Sequence, residues 1–171
     1  MYKIAVTGPE STGKSALCEA LAKHFNTCWV PEFARTYLAG RTPPYTKEEL
    51  DLIATGQLNA EKEMLSKANN ILFCDTDMTV MKVWSEHAFG SCSPLIEKLY
   101  REQSYDAYLL CDIDLPWEPD PLREHPDLRS YFFDTYHTLL KPHQNKLIII
   151  SGSGNSRVEN AIHALRILGI K

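Results

Sequence analysis

Residues 8–15 carry the most specific chemical signal in the sequence. They read G-P-E-S-T-G-K-S and match the spacing G-x-x-x-x-G-K-[ST] at every fixed position. Glycine allows backbone amides to wrap closely around a phosphate, the lysine reaches the β- and γ-phosphates, and the final hydroxyl coordinates Mg²⁺. The pattern therefore predicts a phosphate-binding loop for ATP and Mg²⁺. We expect its ATP contacts to come from Gly8, Glu10, Ser11, Thr12, Gly13, Lys14 and Ser15.

A pair of acids follows the strand-like run N-I-L-F-C at residues 70–74. Asp75 ends this run, and a carboxylate at the end of a neighbouring strand is the usual partner of a phosphate loop in holding the metal. We therefore predict Asp75 and Ser15 as Mg²⁺ ligands and Lys14 and Asp75 as catalytic residues. Asp77 is predicted to bind or deprotonate the acceptor hydroxyl; alternatively, it caps the helix that begins there.

The residues after the second predicted strand are candidates for the acceptor side of the site. Because the carboxyl ends of parallel strands face the ligand crevice, Glu32 is predicted to orient or deprotonate an acceptor hydroxyl and Arg35 to contact the acceptor. The alternative is an ion pair between the two, which lie three residues apart. Gln57 falls near the apolar stripe of a long predicted helix, where it could reach the acceptor or bond to nearby backbone.

Residues 112–129, here called the proline-rich segment, follow the fourth predicted strand and contain prolines at positions 116, 119, 121 and 126. Four prolines prevent a regular helix, and a loop of this kind that carries arginines is a candidate active-site lid. Arg123 is predicted to stabilise the transferred phosphoryl group, and Arg129 to contact ATP. Each could instead pair with a nearby surface acid.

Two tryptophans and one loop complete the candidate site. Trp84 and Trp117 could each stack on a flat or cationic acceptor ring, although Trp84 could equally pack in the core. The loop S-G-S-G-N-S-R at residues 151–157 could admit a purine ring, with Asn155 as an ATP contact. A plain strand-to-helix turn explains that loop equally well.

The elements that must position these residues are five short apolar strands alternating with helices. Several of the strands are apolar without alternation, as expected when helices cover both faces of a parallel sheet. The predicted strands are Tyr2–Thr7, Thr27–Val30, Asn70–Cys74, Ala107–Cys111 and Lys146–Ile150. The predicted helices cover Lys14–Phe25, Thr46 to about Lys67 with a capping box, Met78–Ala88, a helix from Ser93-Pro94, and about Ser156 to Leu168. The pattern predicts an α/β chain forming one domain over residues 1–171.

The overall composition excludes several classes of function. The chain has 171 residues and a formal net charge of -4, so no general basic field favours nucleic acid or an anionic membrane surface. No apolar run approaches the about 20 residues that a membrane span requires, and the N-terminus does not resemble a signal peptide. Five cysteines without CxxC spacing indicate neither a disulfide framework nor a zinc site. We therefore expect a cytoplasmic protein with a small-molecule substrate.

Taken in order along the chain, these motifs resemble one family. G-P-E-S-T-G-K-S, then P-E-F-A-R at 31–35, D-T-D at 75–77 with Trp84, and P-W with Asp120 and Arg123 are similar to the ribosylnicotinamide kinase domain of bacterial NadR-type proteins. The resemblance covers essentially the whole chain. It implies a three-layer P-loop kinase fold with a parallel sheet ordered 2-3-1-4-5 and a short lid. It also implies transfer of the ATP γ-phosphate to the 5′-hydroxyl of nicotinamide riboside. Because the phosphate loop begins at residue 8, we expect this chain to depart from the full regulator in lacking its DNA-binding and adenylyltransferase domains.

Two alternatives remain open from the sequence. The first is a kinase acting on another nucleoside or on a nucleotide, although a phosphorylated acceptor would require more basic surroundings near Arg35 and Arg41. The second is a P-loop ATPase switch that binds a protein partner, which would leave Trp117 in the proline-rich segment without a function.

Overall fold

The computed structural model describes residues 1–40 and 45–171 and contains one five-stranded parallel sheet. Its strands are β1 (Tyr2–Thr7), β2 (Trp29–Val30), β3 (Ile71–Asp75), β4 (Ala107–Cys111) and β5 (Leu147–Ile150). They lie in the order β2-β3-β1-β4-β5, and every neighbouring pair is parallel. The predicted sheet order is therefore confirmed, and the first strand, which carries the phosphate loop, lies at the centre.

Seven α-helices accompany the strands within the described ranges; six lie between strands and the seventh follows β5. They are α1 (Lys14–His24), α2 (Phe33–Leu38), α3 (Lys47–Leu65), α4 (Met78–Phe89), α5 (Pro94–Glu102), α6 (Arg129–Leu140) and α7 (Gly154–Ile167). The Thr46–Glu49 capping box and the Ser93 cap are present as predicted. Helix α6 was not predicted, because its buried residues are two aromatics and one leucine, which mark a weaker helical pattern than a leucine stripe does.

The core has three layers because the strands are apolar on both faces. On one face, Ile4 and Val6 pack with α1 and α7, and on the other Ala5 packs in a cluster with Leu140 at the end of α6. All four side chains are fully buried. Covering both faces leaves the carboxyl ends of the strands as the open edge where a ligand can enter.

A separate apolar cluster joins the helices beside that edge. Leu38 of α2, Ile53 of α3, Met81 of α4 and Ile96 of α5 belong to it. These helices form a wall next to the end of β3 and thereby close one side of the crevice. Within the described parts of the chain, no helix is both long and apolar enough to cross a bilayer.

Candidate active site

The loop after β1 has the backbone geometry that binding a phosphate requires. Gly8 has φ 130°, and a Cβ there would lie 3.0 Å from the carbonyl oxygen of Cys111. Gly13 has φ 75°, where a Cβ would lie 2.9 Å from Leu115 Cδ1, and it forms the N-cap of α1 without a side-chain cap. Because no side chain caps this helix, its first N–H groups remain available to a phosphate.

The side chains of this loop fold back on the loop itself. Lys14 Nζ donates to the carbonyl oxygens of Gly8 at 3.0 Å and Pro9 at 2.8 Å, and the Thr12 hydroxyl also donates to Pro9 at 2.8 Å. The Lys14 ammonium therefore lies at the mouth of the loop, held by weak neutral acceptors. A phosphate oxygen is a stronger acceptor for that ammonium than a backbone carbonyl.

Asp75 lies at the end of β3, where the sequence predicts a metal ligand. Its Oδ2 accepts a 2.5 Å hydrogen bond from Ser15, and the side chain is 1% exposed. Its Oδ1 is buried and has no hydrogen-bond partner within residues 1–40 and 45–171. Burial raises the pKa of Asp75 to about 6, with the Lys14 charge opposing that rise. A buried carboxylate oxygen without a partner beside a serine hydroxyl fits Mg²⁺, which prefers oxygen ligands.

A cavity of about 830 Å³ extends from the phosphate loop to the helical wall. All the predicted residues of the loop line it, and so do Glu32, Arg35, Trp84 and Arg123. The far wall adds aromatic, apolar and acidic side chains, among them Tyr45, Glu49, Val80, Val83, His87, Phe132 and Tyr136. The phosphate loop and this far wall therefore face one continuous space.

Glu32 and Arg35 form the ion pair that was the alternative prediction for these two residues. Arg35 Nε lies 3.2 Å from Glu32 Oε2, and its second contact is Asp120 Oδ2 at 3.0 Å in the proline-rich segment. Both side chains nevertheless line the cavity, so the ion pair and a role toward a ligand are compatible. Arg41 lies outside the described residues.

The proline-rich segment lies against the phosphate loop. Glu10 Oε2 accepts from the backbone N–H groups of Glu124 and His125, at 3.1 and 3.2 Å. Ser11 Oγ accepts from the Glu118 N–H at 2.9 Å, and Arg123 approaches the same oxygen at 3.5 Å. As the prolines predict, no regular α-helix forms in this segment before α6 begins at Arg129.

Two predicted acceptor residues are placed elsewhere. Asp77, like Asp75, is buried and absent from the cavity lining. Unlike those of Asp75, both of its carboxylate oxygens accept hydrogen bonds, from the hydroxyls of Thr7 at 2.8 Å and Thr79 at 2.6 Å, and it caps α4 through the Val80 N–H. Its assignment as an acceptor-binding or catalytic residue is therefore replaced by the capping alternative. Gln57 is 1% exposed, accepts from the Phe33 N–H at 2.8 Å and donates to the Asp75 carbonyl at 3.3 Å. The oxygen and the nitrogen of its amide both form hydrogen bonds with the backbone, so the side chain links α2 to β3 and does not face a ligand.

Three further predicted contacts do not face the cavity. Trp117 is half-buried but is absent from the lining, although its neighbours Pro116 and Glu118 belong to it. Asn155 is exposed in the first turn of α7. Arg129 donates to the carbonyls of Leu115 at 2.8 Å and Ser11 at 3.2 Å, so its guanidinium lies behind the loop instead of over a γ-phosphate. The two carbonyls pair its Nη1 and Nη2 there, and no local pattern in the sequence reveals them.

Two polar features of this region were not predicted from the sequence. Tyr45 accepts a 2.5 Å hydrogen bond from Trp84 Nε1, and the two rings meet edge to face with centroids 4.9 Å apart. Arg157 is 4% exposed and donates to the phosphate loop at the Thr12 carbonyl. The only local signal for Arg157 was an arginine at the end of a Gly/Ser loop, where an exposed side chain is the ordinary expectation.

Comparison with known proteins supports the relationship that the motifs indicate. A curated relative, the trifunctional NAD biosynthesis/regulator protein NadR of Salmonella typhimurium, is 32% identical over 124 residues. That match covers 70% of this chain but 30% of the relative, so the chain spans only a minor part of the relative's length. The NadR protein of Escherichia coli matches to the same extent.

Solved structures share the fold. A NadR structure in complex with NAD and AMP-PNP has a TM-score of 0.78 at 24% identity, covering 99% of this chain and 50% of that one. A NadR structure in complex with NR has a TM-score of 0.77 at 22% identity, with coverages of 99% and 52%. Thymidylate kinase from Ehrlichia chaffeensis has a TM-score of 0.67 at 15% identity and 98% coverage of both chains. The fold is thus that of P-loop nucleoside and nucleotide kinases, and the predicted resemblance to NadR is confirmed.

The family model described as the AAA domain matches residues 3–157, which include the phosphate loop, Asp75 and Arg157. On this match the chain belongs to the AAA-domain family of P-loop proteins.

Proposed function

We propose that this chain is an ATP- and Mg²⁺-dependent kinase that phosphorylates the 5′-hydroxyl of nicotinamide riboside to give nicotinamide mononucleotide, a step of NAD salvage. One observation carries the proposal. The cavity of about 830 Å³ has the phosphate loop at one end and a wall of aromatic rings and carboxylates at the other. A nucleoside triphosphate and a small acceptor can therefore meet inside it. The similarity to NadR and to a NadR structure with NR supports this choice of acceptor.

The donor half consists of the phosphate loop with Lys14, Ser15 and Asp75. The loop amides and Lys14 would hold the β- and γ-phosphates of ATP, and Ser15 with the free Oδ1 of Asp75 would hold Mg²⁺. Mg²⁺, when bound, neutralises charge on the phosphate oxygens. Arg123, which reaches Ser11 Oγ from the proline-rich segment, supplies a further positive charge beside the loop. We propose that this segment serves as the lid over bound ATP.

The acceptor half suits a flat cationic ring attached to a ribose. Trp84 and Tyr45 line the cavity and offer aromatic surface, and Glu32 and Glu49 place carboxylates around the same space. Stacking of a cation on a desolvated aromatic face contributes about 1–2 kcal/mol. A pyridinium ring is therefore a better match to this wall than an anionic group is.

The chemistry requires placement more than a strong base. In the reaction the acceptor 5′-oxygen forms a bond to the γ-phosphorus, the bond from that phosphorus to the β,γ-bridging oxygen breaks, and ADP leaves with the electron pair. The hydroxyl proton passes to a carboxylate or to solvent. Glu32 is the carboxylate that follows a strand end and lines the cavity, so we assign it to orienting this hydroxyl.

The nearest competing function is a kinase for a phosphorylated acceptor, as in thymidylate kinase. An acceptor phosphate would need a free cation in the acceptor half. Arg35 is already bound to Glu32 and Asp120. The carboxylates around it would also repel a phosphate, so an uncharged or cationic nucleoside is favoured.

A single assay separates these functions. Purified protein with Mg·ATP is offered nicotinamide riboside, thymidine, adenosine and thymidine monophosphate, and products are identified by mass spectrometry. We expect nicotinamide mononucleotide as the main product. Turnover of another acceptor but not nicotinamide riboside would contradict the acceptor assignment. ATP binding without transfer to any acceptor would contradict the kinase and favour an ATPase switch.

A further inference from the structure

Arg157 is a buried arginine that joins three of the loops framing the crevice. Its Nη2 donates to the carbonyls of Thr12 at 2.9 Å and Asp112 at 3.0 Å, and its Nη1 donates to the Gly152 carbonyl and Asp114 Oδ1, both at 2.7 Å. Thr12 lies in the phosphate loop after β1, and Gly152 lies in the loop between β5 and α7. Asp112 and Asp114 lie at the start of the proline-rich segment after β4. One side chain of α7 therefore links all three.

Asp114 keeps this guanidinium in place. Its carboxylate accepts from both Arg157 and the Gly152 N–H. Burial by itself would raise the pKa of Asp114, but these two donors outweigh it and hold that pKa below the usual value. The pair is thus ionised at neutral pH. Arg157 is buried but Asp114 is partly exposed, and an ion pair that takes a charge out of water is by itself a weak source of stability compared with apolar packing, so its arrangement calls for another explanation.

The geometry of the peptide bond explains why Arg157 is arranged in this way. In a planar trans peptide, the carbonyl of one residue and the N–H of the next point in opposite directions. Arg157 holds the Thr12 carbonyl, and Arg129 holds the Ser11 carbonyl at 3.2 Å. Neither arginine lines the cavity, whereas Ser11, Thr12 and Gly13 do. With the carbonyls held from behind, the N–H groups of Thr12 and Gly13 face the space where phosphate binds.

We propose that Arg157 is a positioning residue for ATP: by holding the Thr12 carbonyl, it turns the Gly13 amide toward the triphosphate and ties the phosphate loop to the base of the proline-rich segment. The inference rests on the ATP-binding half of the proposed function and is independent of the acceptor. The guanidinium itself does not touch the nucleotide. Its effect is to preorganise the loop, so that the loop amides need no reorientation when phosphate arrives.

The test measures binding of ATP and of inorganic tripolyphosphate, each with Mg²⁺, by isothermal titration calorimetry. The variants are R157M, R157K and D114N, and R166M is the matched control because Arg166 is an exposed arginine on the same helix. For R157M we expect Kd to rise about tenfold or more for both ligands, the effect of losing a charge-assisted hydrogen bond. R157K should bind more weakly than wild type because one ammonium cannot reach acceptors on three loops. R166M should match wild type.

The binding constant and the stoichiometry distinguish positioning from a merely structural role. Loss of structure lowers the bound fraction and the melting temperature but leaves Kd of the folded molecules unchanged, and that outcome would overturn the proposal. If R157M does not fold, D114N carries the test, since it retains Arg157 but removes the negative charge that holds its guanidinium; an unchanged Kd in D114N would then overturn it. If wild-type protein binds neither ATP nor tripolyphosphate, the proposed function fails as well. If wild-type protein binds both ligands and R157M binds them with the same affinity, only the proposed role of Arg157 fails.

Discussion

The hydroxyl of Ser15 donates a 2.5 Å hydrogen bond to Oδ2 of Asp75, a residue 60 positions away, and leaves Oδ1 of that carboxylate buried without a partner in the described chain. The pairing of β1 with β3 brings them together, since Val6 lies opposite Asp75 in the register. A buried carboxylate oxygen without a hydrogen-bond partner lowers the stability of the folded protein unless a cation binds it. This arrangement supports the proposed Mg²⁺ site, because it does not favour the stability of the empty protein.

Asp75→Asn should separate these two effects. The amide oxygen can still accept the Ser15 hydrogen bond, but the buried charge and the metal ligand are lost. Without Mg²⁺ we expect the free energy of unfolding in urea to be equal to that of wild type or higher by about 1 kcal/mol. With Mg·ATP, phosphoryl transfer should fall about 10²-fold or more. Asp134→Asn, at an exposed position, is the control; a strongly destabilised Asp75→Asn protein would contradict this interpretation.

Lys14→Met should abolish transfer without affecting the fold. In the described structure the ammonium donates hydrogen bonds only to loop carbonyls, so its removal breaks no ion pair, although the pKa of the buried Asp75 carboxyl should rise further without the Lys14 charge. We expect kcat/KM to fall about 10²-fold or more, as for loss of a charged group that contacts the transition state, with an unchanged circular dichroism melt. Lys23→Met tests an exposed lysine of the same helix. Activity close to wild type in Lys14→Met would refute the assigned role.

Glu32→Gln tests whether this carboxylate serves the acceptor or only its ion pair. If it orients the hydroxyl, kcat should fall about 10²-fold, while the Kd for ATP, measured separately by calorimetry, stays near that of wild type. If it only holds Arg35, then Arg35→Met should cause the same loss as Glu32→Gln. Glu48→Gln, an exposed acid in the first turn of α3, supplies the control for a change of surface charge.

Gly56→Ala should destabilise the protein although alanine favours a helix. A Cβ at this position would lie 2.2 Å from Cε1 of Phe33, so the ring of α2 must move. The helix propensity gained is about 1 kcal/mol, whereas overpacking typically costs about 1–3 kcal/mol. We expect a lower free energy of unfolding by urea denaturation, and partial recovery when Phe33→Leu is added. Asn59→Ala, exposed in the same helix, should be neutral or stabilising.

Glu61 should make stability depend on pH in a defined direction. Its side chain is 3% exposed, and burial raises its pKa, opposed by the nearby Lys3 charge and by the hydrogen bond from Tyr105. Because the folded state holds the proton more tightly than the unfolded state, stability falls as pH rises from about 4.3, the unfolded value, through the folded pKa.

Glu61→Gln removes this contribution. The difference in unfolding free energy between variant and wild type should therefore become more favourable to the variant as pH rises across that window. Urea denaturation at several pH values from about 4 to 7 measures this difference. A difference that shrinks with rising pH would show that the Lys3 ion pair dominates. Glu48→Gln, whose carboxylate is exposed in the same helix, provides the comparison.

Local features of the chain were predictable because short-range rules govern them. Residues 8–15 form the expected loop because glycine at two positions permits the required φ angles. Thr46 and Ser93 cap helices because their hydroxyls accept from N–H groups three residues ahead. The sheet order required the resemblance to a family, since strand alternation alone predicts a parallel sheet but does not order its strands.

Tertiary structure decided which polar side chains meet the cavity. Asp77 and Gln57 have the spacing of site residues, but Thr7 and the backbone of Phe33 engage them instead. Trp84 meets Tyr45, 39 residues away, and Arg157 meets Thr12, 145 residues away. Such partners depend on how helices pack across the sheet. A buried polar group must be satisfied by whatever donor or acceptor the fold brings near it, and that neighbour is set by packing and not by adjacent sequence.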